Sequence, residues 1–280
     1  MLNLSVVINT YNRAESLRKT LASLQNQSCN NFEVIVVNGP STDNTIDVVS
    51  QFKNAKLISC KERNLSKSRN LGIEAASGDI VAFIDDDAIA DFNWVKDLLS
   101  NYNDEKIGGV GGLVYDHAGM KLQYHYSACD RYGETDFEIK KPFDEYNKPG
   151  ALKFLYLQGT NCSFRKHCLQ EIGGFDEEFE YYLDEVDVCM RIIDKGYKIK
   201  PVDCAIVHHK YMKSFLRNEE KIVLHPYSTV KNRFYFAYKN NVDKKGEEID
   251  EHVSKWYTEV INGGKYNYSN NKMTFIEYKI

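Results

Sequence analysis

Strand-like and helix-like segments alternate through the first hundred residues, and this order constrains the fold more than any other feature. Runs of β-branched and aromatic residues predict strands at 4–8, 32–37, 56–59 and 80–84. Apolar residues at helical spacing predict helices from about residue 13 and at 45–52 and 66–76. The βαβαβαβ order predicts an α/β fold, with a mostly parallel central sheet flanked by helices. The loops after the first, second and fourth strands should then meet at one edge.

Three consecutive aspartates, Asp85, Asp86 and Asp87, close the fourth predicted strand. Ligands of open α/β sheets bind outside the carboxyl ends of the strands, so this position favours a binding site over a solvated acidic turn. Carboxylates at close range favour a hard divalent cation, Mg²⁺ or Mn²⁺, whose remaining ligands are commonly phosphate oxygens. The sequence therefore predicts a metal site at this edge.

Charge and cysteine usage narrow the class of protein. The net charge of −4 over 280 residues argues against a nucleic-acid binder that neutralises backbone phosphates. Seven scattered cysteines without CxxC spacing fit free thiols in a reducing cytoplasm. The first residues lack the basic flank of a signal peptide, and no apolar stretch approaches the length of a membrane span. We expect a cytoplasmic protein.

Beyond residue 100 the pattern is less regular. Residues 116–150 are polar and tyrosine-rich, and are interpreted as an excursion or a lid over a site. A regular apolar pattern is found again at 152–157, and an acidic loop leads into a predicted helix near residue 184. A last strand is expected at 201–207, ending in two histidines.

Several motifs in a fixed order carry a family resemblance. They are SVVINTYNR at 5–13, GPSTDNT at 39–45, NLSKSRNLG at 64–72, GDIVAFIDDD at 78–87, GTNCSFR at 159–165, GGFD at 173–176 and DEVD at 184–187. Over about residues 3–210 the chain resembles the GT-A-fold glycosyltransferases of family 2. The resemblance implies a catalytic domain at 1–210, with a nucleotide-sugar half at about 1–112 and an acceptor half at about 113–210. The basic, aromatic remainder, 211–280, is expected to be a helical extension.

The resemblance also implies an activity. Family members use a nucleotide-sugar donor and a divalent cation, and transfer the sugar to an acceptor hydroxyl, usually with inversion. The expected donor is a UDP-, dTDP- or GDP-sugar, and the expected acceptor is a saccharide or a lipid-linked saccharide, as in polysaccharide assembly. Two other functions stay open: a sugar nucleotidyltransferase, and a non-catalytic glycan-binding protein of transferase descent. The absence of glycine from 9–13 argues against the first, and the intact acids disfavour the second.

Roles on the donor side follow from the matching motifs. Asp87 matches the last acid of the family's DxD motif and is predicted to contact the metal. Asp85, the first acid, resembles the one that faces the ribose and the hydration shell of the metal. Asp86 should point away if the segment is extended, because neighbouring side chains alternate faces. It is interpreted as either a solvated or structural acid or a further functional one.

The nucleoside is expected beside Thr10 and Asn12, although Asn12 with Glu15 also has the form of a helix cap. Asn38 departs from the aspartate that the family most often has for binding the base. Asp43 is interpreted as a helix cap. The resemblance places Arg69 near the base and diphosphate, with a surface salt bridge as the alternative.

The acceptor side carries the candidate base. Asp184 and Glu185 match the family's paired acids, of which the second usually serves as general base, so Glu185 is predicted and Asp184 remains a rival. His208 and His209 follow the last predicted strand, where the family often places a histidine near the metal; which of them faces inward is open. Asp187 is interpreted as a structural ion-pair partner of Arg191.

Two aromatic features remain. Trp94 and Tyr182 are candidates for the sugar or acceptor pocket, with core packing favoured for Trp94. After residue 210, basic residues interleave with aromatic and apolar ones, Phe215 and Leu216 among them. Packing of this tail on the catalytic domain or on a second subunit, as in a homo-oligomer, is favoured. Peripheral contact with anionic lipid on the inner face of the membrane is the second hypothesis.

Overall fold

The computed structural model describes residues 2–214, 217–223, 226–270 and 272. The strands are β1 Leu4–Thr10, β2 Phe32–Asn38, β3 Ala55–Ser59, β4 Ile80–Ile84, β5 Ala88–Ala90, β6 Ile107–Gly111, β7 Val114–Asp116, β8 Leu122–Tyr124, β9 Ser127–Asp130, β10 Thr135–Asp136, β11 Lys153–Tyr156, β12 Asn161–Arg165, β13 Lys198–Pro201 and β14 Val207–His209. The helices are α1 Ala14–Gln25, α2 Thr45–Ser50, α3 Leu65–Ala75, α4 Trp94–Ser100, α5 Lys166–Glu171, α6 Asp184–Asp194, α7 Pro226–Asn240 and α8 Gly246–Ser269.

Seven strands form the central sheet, in the order β13-β6-β12-β4-β1-β2-β3. β12 runs antiparallel to both of its neighbours, and the other pairs are parallel. The predicted mostly parallel α/β sheet is confirmed.

The sheet is covered on both faces, which explains why its central strands are continuous apolar runs. Alternate residues of β1 serve two different cores. Val6 and Ile8 pack with Leu17 and Leu21 of α1, whereas Val7 packs in the core that contains α6. Gly72 lets α3 lie directly on β1, because a Cβ atom there would be 2.4 Å from Val7.

The topology brings three strand ends to one edge of the sheet. β4, β1 and β2 are parallel neighbours, and Thr10 at the end of β1 lies opposite Asn38 at the end of β2. The aspartates follow β4 at the same edge. The expectation that the loops after the first, second and fourth strands meet is therefore confirmed.

Two smaller sheets complete the fold, with orders β10-β9-β11 and β5-β14-β7-β8. The segment 116–150 contains β8–β10 and a 3₁₀ helix, Asp144–Asn147. The expected strand at 201–207 is wrong in extent: β13 ends at Pro201 and β14 begins at Val207. The stretch between them leaves the central sheet and enters the four-stranded one.

The described part of the tail packs on the rest of the protein. Phe236 of α7 is fully buried and belongs to the core that contains α6, and Ile249 and Val253 of α8 pack on α7 through Ala237. Phe215 and Leu216 lie outside the described residues. Among the described helices, none combines the length and the apolar character needed to cross a membrane.

Candidate active site

Asp85, Asp87 and His209 converge at the carboxyl edge of the sheet. His209 Nε2 lies 3.1 Å from Asp87 Oδ1 and 3.6 Å from Asp85 Oδ2. One ligand atom from each of the three residues lies within 4.8 Å of the others. Two carboxylates and an imidazole at this spacing can share one divalent cation. Burial alone would raise the pKa of Asp87, but His209, Arg13 and the Met212 N–H lower it to about 2.

Strand pairing decides which histidine faces inward. β14 runs antiparallel to β5, with His209 opposite Ala88, the residue after Asp87. Because side chains alternate along a strand, His208 lies on the other face, where its ring centre is 6.1 Å from that of Tyr115. His209 is thus the histidine at the aspartate cluster, and the placement of His208 there is wrong.

Asp86 points into the site, contrary to the expectation. The Ala88 N–H donates to the Asp85 carbonyl over 3.1 Å, so the aspartates form a turn and the alternation of an extended strand ends at β4. The Asp86 carboxylate accepts from the Thr10 hydroxyl at 2.7 Å and from Arg13 at 2.9 Å. Burial raises the pKa of Asp86 to about 6, against the opposing charge of Arg13.

Arg13 is the residue that sequence reasoning missed. Its guanidinium contacts Asp86 and lies 3.3 Å from Asp87, so it neutralises part of the charge of the acidic turn. The sequence feature that could have identified it is its position at the end of the NTYNR motif. The first loop was expected at the same edge of the sheet as the three aspartates.

A cavity of about 180 Å³ lies beside this cluster. It is lined by the first loop, the start of α3 and the acidic turn, and among its residues are Thr10, Tyr11, Ser68, Asp85 and Asp87. The Arg63 guanidinium lies 5.6 Å from the centre of the Tyr11 ring. Concave, partly polar sites at strand ends are where small ligands bind in such folds.

The loops after β1 and β2 are fixed by their own polar side chains. Asn12 does not cap α1; its Oδ1 accepts from the Thr42 N–H at 2.7 Å, and its φ is 53°. Asp43 instead accepts from the first N–H of α1, at Ala14, over 3.0 Å, and from Thr45 over 3.1 Å, so its interpretation as a cap is confirmed. Asn38 Oδ1 accepts from Ser41, which holds this turn.

Asp184 and Glu185 lie at the start of α6, and Arg69 pairs with both. Arg69 donates to Asp184 in a buried ion pair and lies 3.8 Å from Glu185. The side chain of Asp184 is 1% exposed and that of Glu185 is 19% exposed, so Glu185 is the acid that a second molecule can reach. Burial, and then the neighbouring Asp184, raises the pKa of Glu185 well above its ordinary value. Burial alone would lower the pKa of Arg69, but the charges of Asp184, Glu185 and, to a smaller extent, Asp85 raise it.

Gly159 lies where the Arg69 side chain passes the loop before β12. A Cβ atom at residue 159 would lie 2.7 Å from Arg69 Nη2 and 3.5 Å from the Glu185 carboxyl group. The absence of a side chain here lets the guanidinium and the carboxyl group approach the backbone.

The segment after β14 crosses the acidic turn. The Met212 N–H donates to Asp87 Oδ2 at 2.7 Å, and Arg13 donates to the Lys213 carbonyl at 2.6 Å. Arg217 donates to the Tyr181 hydroxyl at 2.6 Å and stacks 3.9 Å from the Tyr211 ring centre. Arg217 also lines the cavity.

Two further predicted residues are structural. Trp94 is fully buried, and its Nε1 donates to Asn161, so core packing rather than a pocket role explains it. Asp187 is buried and accepts from Arg191 at 2.7 Å, as predicted. Tyr182 is half exposed, at 50%.

Comparison with known proteins identifies the family of the chain. The sequence profile of glycosyl transferase family 2 matches residues 5–173. The chain belongs to this family. As a family 2 glycosyltransferase it is an enzyme of the transferase class, and the match covers the first loop, the acidic turn and Arg69.

Two relatives of this chain are themselves named as glycosyltransferases. The chain is 28% identical over 232 residues to the glucosyl-dolichyl phosphate glucuronosyltransferase of Haloferax volcanii, covering 75% of this chain and 69% of that protein. It is 25% identical over 215 residues to the O-antigen chain rhamnosyltransferase RfbN of Salmonella typhimurium, covering 75% and 67%.

Among solved structures, a mannosyltransferase from Pyrobaculum calidifontis in complex with GDP-Man and Mn²⁺ superposes with a TM-score of 0.59. The superposition covers 93% of this chain and 70% of that one, at 18% identity. The likeness confirms the GT-A fold. Glu185, His209 and α7 all lie beyond the segment that the family profile matches.

Proposed function

We propose that this family 2 enzyme transfers a sugar from a nucleotide-diphosphate sugar to a hydroxyl of a saccharide or lipid-linked saccharide, with inversion and metal assistance. The observation that carries the proposal is the convergence of Asp85, Asp87 and His209 beside a cavity at the carboxyl edge of the sheet. The names of the relatives support an acceptor in polysaccharide or lipid-linked glycan assembly.

The donor set fits a divalent cation. Two carboxylate oxygens and one imidazole nitrogen suit Mn²⁺, and Mg²⁺ with additional waters. When bound, the cation would stabilise the negative charge that develops on the departing diphosphate. The low pKa of Asp87 keeps this ligand ionised, as metal binding requires.

Thr10 and Asn38 are proposed to contact the nucleoside, because they lie side by side at the ends of β1 and β2. Asn12 acts by shaping the loop, since its carbonyl oxygen is occupied by Thr42. Asp86 acts by holding Thr10 and Arg13 in place. Arg69 pairs with Asp184 and lies near Glu185 at the start of α6. Its contact with the diphosphate stays a prediction.

Glu185 is proposed as the general base. The acceptor hydroxyl gives its proton to the Glu185 carboxylate while its oxygen forms a bond to the anomeric carbon. The bond between that carbon and the phosphate oxygen breaks, and the electron pair leaves with the nucleoside diphosphate. Attack from the side opposite to the leaving group inverts the anomeric centre. Asp184 is disfavoured, because its carboxylate is buried and already paired with Arg69.

The cellular location of the enzyme and its assembly are also proposals. All seven cysteines are free thiols, which supports a cytoplasmic location. Contact of the tail with anionic lipid and assembly into a homo-oligomer are both compatible with its exposed aromatic residues, such as Tyr227 and Tyr266.

A thermal-shift screen tests the donor site. UDP-, GDP- and dTDP-sugars are each added with and without Mn²⁺, and we expect one nucleotide to stabilise the protein only with the metal. At a hundred times the dissociation constant, binding adds about 2.7 kcal/mol to the stability. Asp87→Ala should abolish that gain. The absence of any metal-dependent shift, or an equal shift in Asp87→Ala, would contradict the proposal.

A further inference from the structure

The turn that precedes the two catalytic-site acids has an unusual backbone. Tyr182 and Leu183 have φ values of 82° and 66°, so two consecutive non-glycine residues occupy the left-handed region. Such conformations are sparsely populated and persist only where the surrounding structure holds them. Asp184 and Glu185 follow immediately, as the first residues of α6.

Asn232 of α7 holds this turn. Its side-chain amide donates to the Tyr181 carbonyl at 2.6 Å and to the Tyr182 carbonyl at 3.0 Å. Both hydrogens of the amide are thereby used on two successive peptide groups. Asn232 is fully buried, so water does not compete for these carbonyls.

The cost of placing an amide here argues for a specific role. The Oδ1 atom of Asn232 is buried without a hydrogen-bond partner among the described residues. A leucine of similar size would fill the space without a buried unpaired oxygen, which is destabilising. What an apolar side chain could not supply is the pair of donors to the turn.

Other contacts of α7 hold the same segment on both sides of the turn. Lys239 lies 2.6 Å from Asp176 and 2.8 Å from Asp187, and the Tyr235 hydroxyl donates to Asp176 at 2.9 Å. The helix therefore fixes the chain before the turn and the first turn of α6 after it. Within the described part of the chain, the N-cap residue of α6, Leu183, makes no side-chain cap bond, so these contacts help to fix the first residues of the helix.

We propose that Asn232 is a positioning residue for the reaction: its two N–H groups lock the left-handed turn that places Glu185 where it reaches the acceptor proton. This inference rests on the proposed function, in which Glu185 is the base. A base must be within hydrogen-bond reach of its proton, and a displacement of about 1 Å costs about 10²-fold in rate. Asn232 lies in α7, outside the family match, so a residue beyond that match positions the base.

Asn232→Asp tests the proposal, because it keeps the shape and replaces the two donors with acceptors that repel the carbonyls. Asn232→Ala removes the donors without adding charge. The assay is release of nucleoside diphosphate from the donor identified by the thermal-shift screen, with water as the acceptor. We expect kcat to fall about 10²-fold in both variants while the Mn²⁺-dependent dissociation constant of the nucleotide is unchanged.

Asn241, which directly follows α7, provides a matched control. It is buried, and its amide also donates to two carbonyls, those of Arg131 and Ala237, each at 2.8 Å. Asn241→Asp should lower the melting temperature in the same way but leave kcat near that of wild type. Equal losses of kcat in Asn241→Asp and Asn232→Asp would show a general packing effect and overturn the proposal.

Glu185→Gln separates this inference from the proposed function. If Glu185→Gln keeps wild-type turnover, Glu185 is not the base, and the positioning role of Asn232 is refuted as well. If Glu185→Gln is inactive but Asn232→Asp and Asn232→Ala keep wild-type kcat, only the role of Asn232 is refuted. Adding Asn232→Asp to Glu185→Gln should cost little further turnover, because residues that act as a unit are not additive. A full additional 10²-fold loss in the double variant would also refute it.

Discussion

Replacing Arg69 with methionine removes the cation from a buried ion pair, and we expect it to destabilise the fold by about 3–5 kcal/mol. The side chains of Arg69 and Asp184 are 3% and 1% exposed, so water screens neither charge. Without Arg69, the Asp184 carboxylate is left buried and uncompensated. The guanidinium also lies 5.1 Å from the Phe175 ring centre, a contact that methionine retains only as apolar packing.

A compensating change provides the second part of this prediction. Arg69→Met combined with Asp184→Leu removes both charges, and replacing a buried ion pair by apolar residues is often neutral or stabilising. The double variant should therefore recover most of the lost stability. The double variant should not recover turnover, because the Arg69–Asp184 pair lies against Glu185 and helps to fix its position.

Urea unfolding followed by circular dichroism measures these effects, with the free energy of unfolding extrapolated linearly to water. Lys67→Met is the matched control: Lys67 lies in the same helix, but its ion pair with Glu62 is exposed, so the change should be small. A loss below about 1 kcal/mol in Arg69→Met, or a double variant no more stable than it, would refute the reasoning from burial.

Three further predictions concern the site itself. His209→Ala should abolish Mn²⁺-dependent nucleotide binding and His208→Ala should not, as measured by calorimetry; equal losses would contradict the strand register. The acid limb of the kcat–pH profile should lie above the ordinary range of a glutamate, because burial raises the pKa of Glu185 and leaves the base protonated and inactive at low pH; a limb within that ordinary range would contradict its burial. Gly159→Ala should lower kcat at least tenfold with nucleotide affinity retained, because a Cβ atom displaces Arg69. An unchanged kcat would show that the loop before β12 moves to make room for the added methyl group, and would contradict the prediction.

Much of the donor half could be predicted because its signals are local. Apolar runs and helical spacing are properties of neighbouring residues, and they gave the order and approximate limits of β1 to β4 and α1 to α3. The rules for parallel sheets then bring the ends of β1, β2 and β4 together. The sequence alone thus determined a cluster of acids at a ligand-binding edge, and its ordered motifs pointed to the family.

Local patterns failed where a long-range contact decides the geometry. Asp86 turns inward because a turn replaces the extended backbone and because Thr10 and Arg13 meet it from another strand end. The helix-cap pattern at Asn12 fails because the first N–H of α1, that of Ala14, donates to Asp43, which lies 29 residues from Ala14 in the sequence. Each outcome depends on residues that are distant in sequence.

The sequence by itself determined the fold class, the edge where the site lies and the residue types that it contains. Only the tertiary structure decided which of those side chains meet. The pairing of β14 with β5 selects His209 over His208, and burial against Arg69 leaves Glu185, not Asp184, accessible. The physical reason is that strand register and burial are set by packing between distant segments, whereas periodicity records only the neighbours of each residue.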